Sequence, residues 1–325
     1  MSYTSSSRGF DPAFAKSLTD KILREASKVV VGKIDVIKYI LMGLYTGGHV
    51  LLEGVPGVAK TLIAKTVSKT INLSFSRIQA TPDLLPSDII GTMVFDPRKN
   101  DFVPRKGPIF ANIVLFDEIN RASPRTQSAL LEAMQEKQVT IEGVTYPLPD
   151  PFMVIATMNP IEMEGTFPLP EAQLDRFMLK VIVDYPSREE TIKILKKIHV
   201  IEKFDVHPAA SAVDLKLVKT MIPYVKVSDD ILNYIIDLIE ATRNHQHIRL
   251  GGSPRAAISI MMAAKAHALM EGRGYVIPDD VKYVVKPVLR HRLILKPEAE
   301  FEGITVESVI DNILKTVPVP TPGVA

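Results

Sequence analysis

Apolar residues in the first half of the chain follow two spacings. They recur every four positions from Phe14 to Ala26 and begin a similar pattern from Ile34 to Leu44, which predicts two amphipathic helices. Later they form short, wholly apolar runs such as Ile113–Phe116, typical of parallel strands buried on both faces. Strands are predicted at 49–53, 113–116, 152–158 and 178–183, helices at 62–70 and from Ser123, and a hairpin at 138–146. Short strands and loops are predicted over 74–112.

The pattern changes near Ser187, after which strand signals nearly vanish. Helices are predicted at 188–199, 214–222, 228–242, 254–270 and 278–289. We therefore predict an α/β fold, in which a parallel sheet flanked by helices binds ligands at the carboxyl ends of its strands, followed by an all-α domain. The predicted divisions are a disordered start at 1–12, an α/β core at 13–185, a helical domain at 186–316 and a proline-rich tail at 317–325.

The charge balance argues against a nucleic-acid partner. There are 39 Lys and Arg against 37 Asp and Glu, a formal net charge of +2, whereas nucleic-acid-binding proteins usually show a basic excess. The chain has no cysteine, so disulfides and thiolate metal sites are excluded, which suits a reducing cytosol. The serine-rich start lacks the apolar core of a signal peptide, and no apolar run approaches the length of about 18 residues typical of a membrane span. We expect a cytoplasmic protein without direct membrane insertion.

The segment from Gly54 to Leu62 carries the strongest candidate chemistry. An apolar strand leads into a glycine-rich turn and the turn into a helix, the arrangement that cradles the phosphates of a nucleoside triphosphate. Lys60 would place a cation on the β and γ phosphates, and the Thr61 hydroxyl would ligate Mg²⁺. The candidate nucleotide-binding residues in this segment are Gly54, Pro56, Gly57, Val58, Ala59, Lys60, Thr61 and Leu62.

Ala59 departs from the strict phosphate-loop pattern, which has glycine directly before the lysine. We expect its small side chain to fit at the first helical position without a positive φ, so that the loop stays intact. The rest of the chain must then supply the other groups of a hydrolytic site.

Two acids directly follow the buried strand 113–116. Asp117 would lie beside the Mg²⁺ and Glu118 beside the attacking water, which is the positioning that phosphoryl transfer requires. The alternative for two adjacent carboxylates is a solvated acidic turn. Asn159 ends the strand 152–158 and would orient the same water, although Asn-Pro is also a common turn pair.

Taken together, these segments resemble the AAA+ ATPases of the MoxR group. The matching stretches are Leu52–Gly57, Phe116–Arg121, Thr157–Pro160, Leu169–Phe177 and Gly252–Ala256. They occur in the family's order and cover nearly the whole chain. The resemblance implies a P-loop AAA+ core followed by an all-α lid domain, with ATP and Mg²⁺ as cofactors.

The resemblance also implies roles for single residues at the phosphates. Lys60 and Thr61 match the Walker A pair, and Asp117 and Glu118 match the Walker B pair. Asn159 matches sensor 1. Thr61 and Asp117 are accordingly the implied metal ligands, and Glu118 and Asn159 are implied to be catalytic.

Two arginines match positions that complete such a site. Arg176 matches the arginine finger, which enters the neighbouring subunit's site, and Arg255 matches sensor 2 on the lid. An ordinary surface ion pair is the alternative for Arg176, and Arg121 and Arg125 are rivals for the role in the neighbouring site. A cation near a helix N-terminus is unfavourable without an opposing anion, which supports a phosphate-facing Arg255.

Further segments match by resemblance alone. Residues 29–32 correspond to the adenine-side wall, with Val31 and Gly32 as candidate binding residues. Residues 74–107 would contain the helix-2 insertion, and the hairpin 138–146 would be the pre-sensor 1 insertion.

The resemblance thus implies a Mg²⁺-dependent ATPase that forms a homo-oligomeric ring, six subunits being the expected number, and remodels or matures a protein client. Members of the MoxR group often act beside proteins with a von Willebrand factor A domain, which a partner would have to supply here. An ATP-gated binding scaffold with little turnover is the alternative function. A DNA-remodelling motor is disfavoured by the small net charge.

Overall fold

The computed structural model describes residues 9–160 and 165–320. Of the predicted disordered start at 1–12, residues 1–8 lie outside the described residues. Residues 321–325 of the predicted tail also lie outside them.

Helices and strands alternate up to residue 182, and helices dominate afterwards. In chain order the elements are α1 (Pro12–Ala26), α2 (Ile34–Thr46), β1 (Val50–Glu53), α3 (Lys60–Thr70), β2 (Phe75–Gln79), α4 (Pro86–Ile90), β3 (Gly91–Asp96), β4 (Asp101–Lys106), β5 (Ile113–Asp117), α5 (Pro124–Glu136), β6 (Gln138–Ile141), β7 (Val144–Pro147), β8 (Met153–Met158), α6 (Glu171–Leu174), β9 (Leu179–Ile182), α7 (Arg188–Lys203), α8 (Ala212–Met221), α9 (Asp229–Asn244), β10 (Ile248–Leu250), α10 (Pro254–Met270), α11 (Pro278–Leu289), β11 (Ile294–Leu295), α12 (Pro297–Phe301) and α13 (Val306–Thr316).

The chain packs into two units. Among the described residues, the sheet unit comprises 21–160 and 165–212, and the helical unit comprises 9–20 together with 213–320. The sequence-based division at residue 185 follows the change from strands to helices, whereas packing assigns α7 to the sheet unit and the first half of α1 to the helical unit. Among the described helices, none combines the length and apolarity needed to cross a membrane.

A five-stranded parallel sheet organises the sheet unit, as the apolar runs predict. Its strand order is β2-β5-β8-β1-β9, with every pairing parallel. All five residues of β5 are buried, as expected where helices cover both faces of a sheet. Since the strands run in one direction, the residues that follow β1, β5 and β8 meet at one edge, where parallel sheets bind ligands.

The predicted elements correspond closely to the observed ones over most of the chain. The short helices α4, α6 and α12 have no counterpart in the prediction, and β2, β3 and β4 lie in the region predicted only as short strands and loops. The helix α13 is missing from the prediction, although Val309, Ile310 and Ile313 have helical spacing and are buried. The antiparallel pair β10–β11 was also not predicted, because its strands are only three and two residues long.

A buried histidine ties α5 to the sheet. The backbone N–H of Val154 donates to His49 Nδ1 at 2.9 Å, so the proton lies on Nε2, which donates to the Met134 carbonyl at 3.0 Å. Burial lowers the pKa of His49 to about 4. The ring is therefore neutral at pH 7 and fixes the end of α5 against β1 and β8.

The helical unit is built around α10, which packs against α9 and α11. Asp280, in the first turn of α11, is fully buried and accepts two hydrogen bonds of 2.6 Å from the Arg273 guanidinium. Such a charge is tolerated in the interior because it is paired and hydrogen-bonded. The pair holds the start of α11 against the chain that leaves α10.

Candidate nucleotide-binding and hydrolytic site

The glycine-rich loop leaves β1 at the edge of the sheet. The Gly54 N–H donates to the Met158 carbonyl at 3.2 Å, which joins the start of the loop to the end of β8. A Cβ at Gly54 would lie 2.4 Å from the Val183 carbonyl oxygen, closer than real Cβ contacts allow. Glycine is required at this position because the chain that leaves β9 passes so near.

The conformation of Ala59 corrects one expectation from the sequence. It is the N-cap of α3 and has φ 66° and ψ 22°, in the left-handed region. The expectation that alanine would fit there without positive φ is therefore wrong. A left-handed conformation costs an L-residue about 1–2 kcal/mol, so the loop keeps the shape that glycine would give it at some cost in stability.

Lys60 and Thr61 begin α3 directly after this turn. Lys60 Nζ donates to the Gly54 carbonyl and to the Met158 carbonyl, the latter at 3.3 Å. The Thr61 hydroxyl donates to Oδ2 of Asp117 at 3.4 Å. The predicted Walker A pair and the first acid of Walker B therefore lie together at the carboxyl edge of the sheet.

Thr157, on β8, links the two acids. Its hydroxyl donates to Oδ1 of Asp117 at 2.6 Å and accepts the N–H of Glu118 at 2.8 Å. Thr157 is fully buried, and Asp117 is 7% exposed. Glu118 has φ 58°, so the chain turns as it leaves β5 instead of continuing the alternation of a strand.

Two polar residues of β2, Arg77 and Gln79, complete the network around the acids. Arg77 forms an ion pair with Oδ2 of Asp117 at 2.7 Å, and Gln79 Nε2 donates to Oε2 of Glu118 at 2.9 Å. Arg121 Nη1 lies 3.2 Å from the same Glu118 oxygen.

The sequence reasoning missed Thr157, Arg77 and Gln79. A signal existed for the last two, because they are two positions apart and thus lie on one face of a strand. Gln79 is the register partner of Asp117. Nothing in the sequence shows that β2 is the neighbour of β5.

The oxygens of Thr61 and Asp117 fit a magnesium ion. Mg²⁺ prefers hard oxygen ligands, and two adjacent ligands of one octahedral ion are about 3 Å apart. The observed separation of 3.4 Å is close to that value. These two residues would hold the ion, with nucleotide phosphates and waters as its other ligands.

An apolar cleft of about 150 Å³ borders the loop on its other side. Its lining includes the candidate residues Val31, Gly57, Val58, Ala59 and Leu62. The opposite wall comes from α7, through Ile194, Ile198 and Ile201. Such a surface suits a nucleobase, whose faces are apolar. The α7 wall was missed because the sequence assigned that helix to a different domain.

Gly32 lies beside this cleft in a left-handed conformation, with φ 72°. A Cβ there would lie 1.9 Å from Oε1 of Glu190, on the first turn of α7. The other carboxylate oxygen of Glu190 accepts the N–H of Ser187 at 2.8 Å. Gly32 therefore allows the start of α7 to approach the loop, and among the described residues it is Val31 rather than Gly32 that lines the cleft.

The remaining candidates occupy three different places. Asn159 is buried directly after β8, next to the Met158 carbonyl that Lys60 contacts. Arg176 donates from Nη1 to the Leu131 carbonyl at 2.9 Å and lines a cleft of about 270 Å³ along α5. Arg255 lies exposed in the first turn of α10, in the helical unit.

Two family models and several known proteins match this chain. Residues 49–179 match the family model described as "ATPase family associated with various cellular activities (AAA)", and residues 240–313 match the AAA lid domain. The chain is 44% identical to the Mycobacterium tuberculosis protein named chaperone MoxR1, covering 93% of this chain and 82% of that one. It is 47% identical to the Bacillus subtilis protein YeaC, over 93% and 95% of the two chains. The crystal structure of a putative ATPase from Cytophaga hutchinsonii has a TM-score of 0.89 and 45% identity, over 95% of this chain and 97% of that one.

Proposed function

Because the chain belongs to the MoxR family of AAA+ ATPases, we propose that it hydrolyses ATP in a magnesium-dependent reaction, as a ring of identical subunits, to remodel or mature a protein client. Nucleotide binding and ATP hydrolysis follow from the family. The magnesium ion, the ring, its number of six subunits and the client are the proposed parts.

One observation carries the hydrolytic part of the proposal. The Thr61 hydroxyl at the start of α3 and the carboxylate of Asp117 at the end of β5 are 3.4 Å apart. Glu118 follows Asp117 and is fixed through Thr157. Residues far apart in sequence thus converge where a γ-phosphate, a metal and a water would have to meet.

Each residue has a role in the proposed reaction. Lys60 and the loop N–H groups bind the β and γ phosphates, while Gly54–Ala59 shape the turn. Bound magnesium would neutralise charge on the phosphate oxygens. Glu118 orients the attacking water and accepts its proton on a carboxylate oxygen, and Asn159 holds the same water from the end of β8.

Arg176 is the proposed arginine finger for a neighbouring subunit. Arg121 is less suited to that role because it lies 3.2 Å from Glu118 of its own chain. Arg125, at the start of α5, remains the rival. We propose Arg255 as the sensor 2 residue that reaches the γ-phosphate from the lid.

The client-directed part of the function rests on relatives. The Mycobacterium tuberculosis relative is named a chaperone, which supports a protein client. A partner with a von Willebrand factor A domain is proposed from the family resemblance. We propose the cytoplasm as the compartment, in keeping with the absence of cysteine.

Phosphate release by the Glu118→Gln variant tests the hydrolytic assignment. Turnover should fall by roughly 10²-fold or more, since general base catalysis is typically worth that much, while ATP affinity is retained. Glu300→Gln, on the exposed side of α12, makes the same change away from the site and should leave turnover unaltered. Equal turnover in Glu118→Gln and the parent chain would contradict the role of Glu118. Negligible release by the parent at all concentrations would favour the ATP-gated scaffold instead.

A further inference from the structure

Arg77 contacts the proposed metal ligand directly. Its Nε and Nη2 atoms both donate to Oδ2 of Asp117, at 3.1 and 2.7 Å. The Thr61 hydroxyl approaches the same oxygen at 3.4 Å. The guanidinium therefore occupies the carboxylate oxygen that lies nearest the other proposed ligand.

The second oxygen of Asp117 has a fixed partner. Oδ1 accepts the Thr157 hydroxyl at 2.6 Å, and Thr157 is fully buried on a central strand. Rotation of the carboxylate would break this bond and leave a buried hydroxyl without an acceptor, which is costly. Oδ2 is therefore the oxygen that Asp117 can offer to a metal.

Arg77 is the partner of Asp117 that can withdraw. Its side chain is 49% exposed, on the edge strand β2, so water can satisfy its donors when it moves. Nη2 also donates to Oε1 of Gln79 at 2.8 Å, which offers a partner on the same strand. The ion pair with Asp117 is thus exchangeable, whereas the bond from Thr157 is structural.

We propose that Arg77 is a positioning residue that competes with the divalent cation for Oδ2 of Asp117, so that magnesium enters with nucleotide only as the guanidinium gives up that oxygen. The inference rests on the proposed magnesium site of Thr61 and Asp117. A positive charge at 2.7 Å from a metal ligand weakens that ligand's attraction for a second cation. Arg77 also neutralises Asp117 whenever magnesium is not bound to it, since a nearly buried carboxylate needs a counter-charge.

The magnesium dependence of nucleotide binding tests this role without measuring turnover. Binding of a fluorescent ADP analogue to the full chain is followed by anisotropy over a range of free Mg²⁺ concentrations at constant ionic strength. Arg77→Gln removes the charge and keeps a polar side chain. Arg98→Gln, in the exposed turn between β3 and β4, is the matched control with the same change in charge.

In Arg77→Gln the Mg²⁺ concentration for half of the maximal gain in affinity should fall about tenfold, the usual effect of losing hydrogen bonds between charged groups. In Arg98→Gln it should stay within about twofold of the parent, because distant surface charges are screened. An unchanged or higher requirement in Arg77→Gln overturns the proposal.

Two further measurements keep the outcomes distinct. ADP affinity in EDTA should be equal in the parent and Arg77→Gln, which shows that the variant is folded. If Arg77→Gln no longer binds ADP in EDTA, the Arg77→Lys variant is used to test the proposal instead. It keeps the charge but not the paired donors, so its Mg²⁺ requirement should fall about threefold, and a requirement equal to the parent's overturns the proposal. If the parent itself shows no Mg²⁺ effect, the magnesium site of the proposed function fails, and this inference with it.

Discussion

The Thr157 hydroxyl should be one of the most stabilising polar groups in the sheet unit, and Thr157→Val tests this directly. Valine has nearly the shape of threonine, so packing is preserved while the hydroxyl is lost. The variant removes the 2.6 Å bond to Asp117 and leaves the Glu118 N–H without its 2.8 Å acceptor. A hydrogen bond to a charged group contributes about 1.5–3 kcal/mol, and an unsatisfied partly buried N–H costs about 1–3 kcal/mol. We expect the free energy of unfolding to fall by about 3 kcal/mol.

Thr66 provides a matched control on α3. It is also fully buried, but within the described residues its hydroxyl has no hydrogen-bond partner. Thr66→Val removes an unsatisfied polar group and should be neutral or stabilise the protein by up to about 1 kcal/mol.

Urea denaturation and thermal melting of the nucleotide-free chain measure both variants. For a domain of this size, about 3 kcal/mol corresponds to a fall in the melting temperature of roughly 6–12 °C. Thr157→Val should melt in that lower range, and Thr66→Val at or above the parent's temperature. Equal shifts in the two variants would show that the lower melting temperature comes from replacing any buried threonine by valine. Such a result would refute the hydrogen-bond argument.

Three further predictions concern single residues of the sheet unit. Ala59→Gly should stabilise the chain by about 0.5–1 kcal/mol in urea, because relief of the left-handed strain exceeds the entropy that glycine adds to the unfolded state; a lower urea midpoint would contradict this. His49 has a pKa of about 4 when folded and 6.5 when unfolded, so the unfolded state binds more protons between these values and stability falls as pH drops through that range. The loss should reach about 3 kcal/mol by pH 4, and the His49→Asn variant should show a shallower dependence of the urea midpoint on pH; parallel curves would count against the assignment. Arg176→Ala should bind ATP normally but release phosphate roughly 10³-fold more slowly at concentrations where the oligomer forms, and unchanged release would transfer the finger role to Arg125.

The sequence reasoning predicted the elements that depend on local pattern. Strands buried on both faces consist mainly of apolar residues, so β5 and β8 are evident, and the phosphate loop has its own spacing. The edge strand β2 was not resolved within 74–112, because of its five residues only Ile78 is buried.

The parts of the site that the sequence could not supply depend on which strands are neighbours. Arg77 and Thr157 reach Asp117 only because β2 and β8 flank β5. That order is a tertiary property with no local signal. The strain at Ala59 is likewise invisible in sequence, since alanine is also compatible with an ordinary helical start.

The left-handed backbone at Glu118 affects which substitutions would stabilise this chain. Positive φ costs glutamate more than it costs asparagine, or glycine, which has no Cβ, so Glu118 lowers stability at a position for which we propose a catalytic role. Selection for stability alone would favour glycine at residues 118 and 59. The two substitutions would differ in their effect on the proposed function. Glycine at 59 would keep the shape of the phosphate loop, whereas glycine at 118 would give a more stable chain that lacks the carboxylate we propose as the general base. Variants of this chain that are selected for higher stability should therefore be checked for a substitution at residue 118 before their ATPase activities are compared.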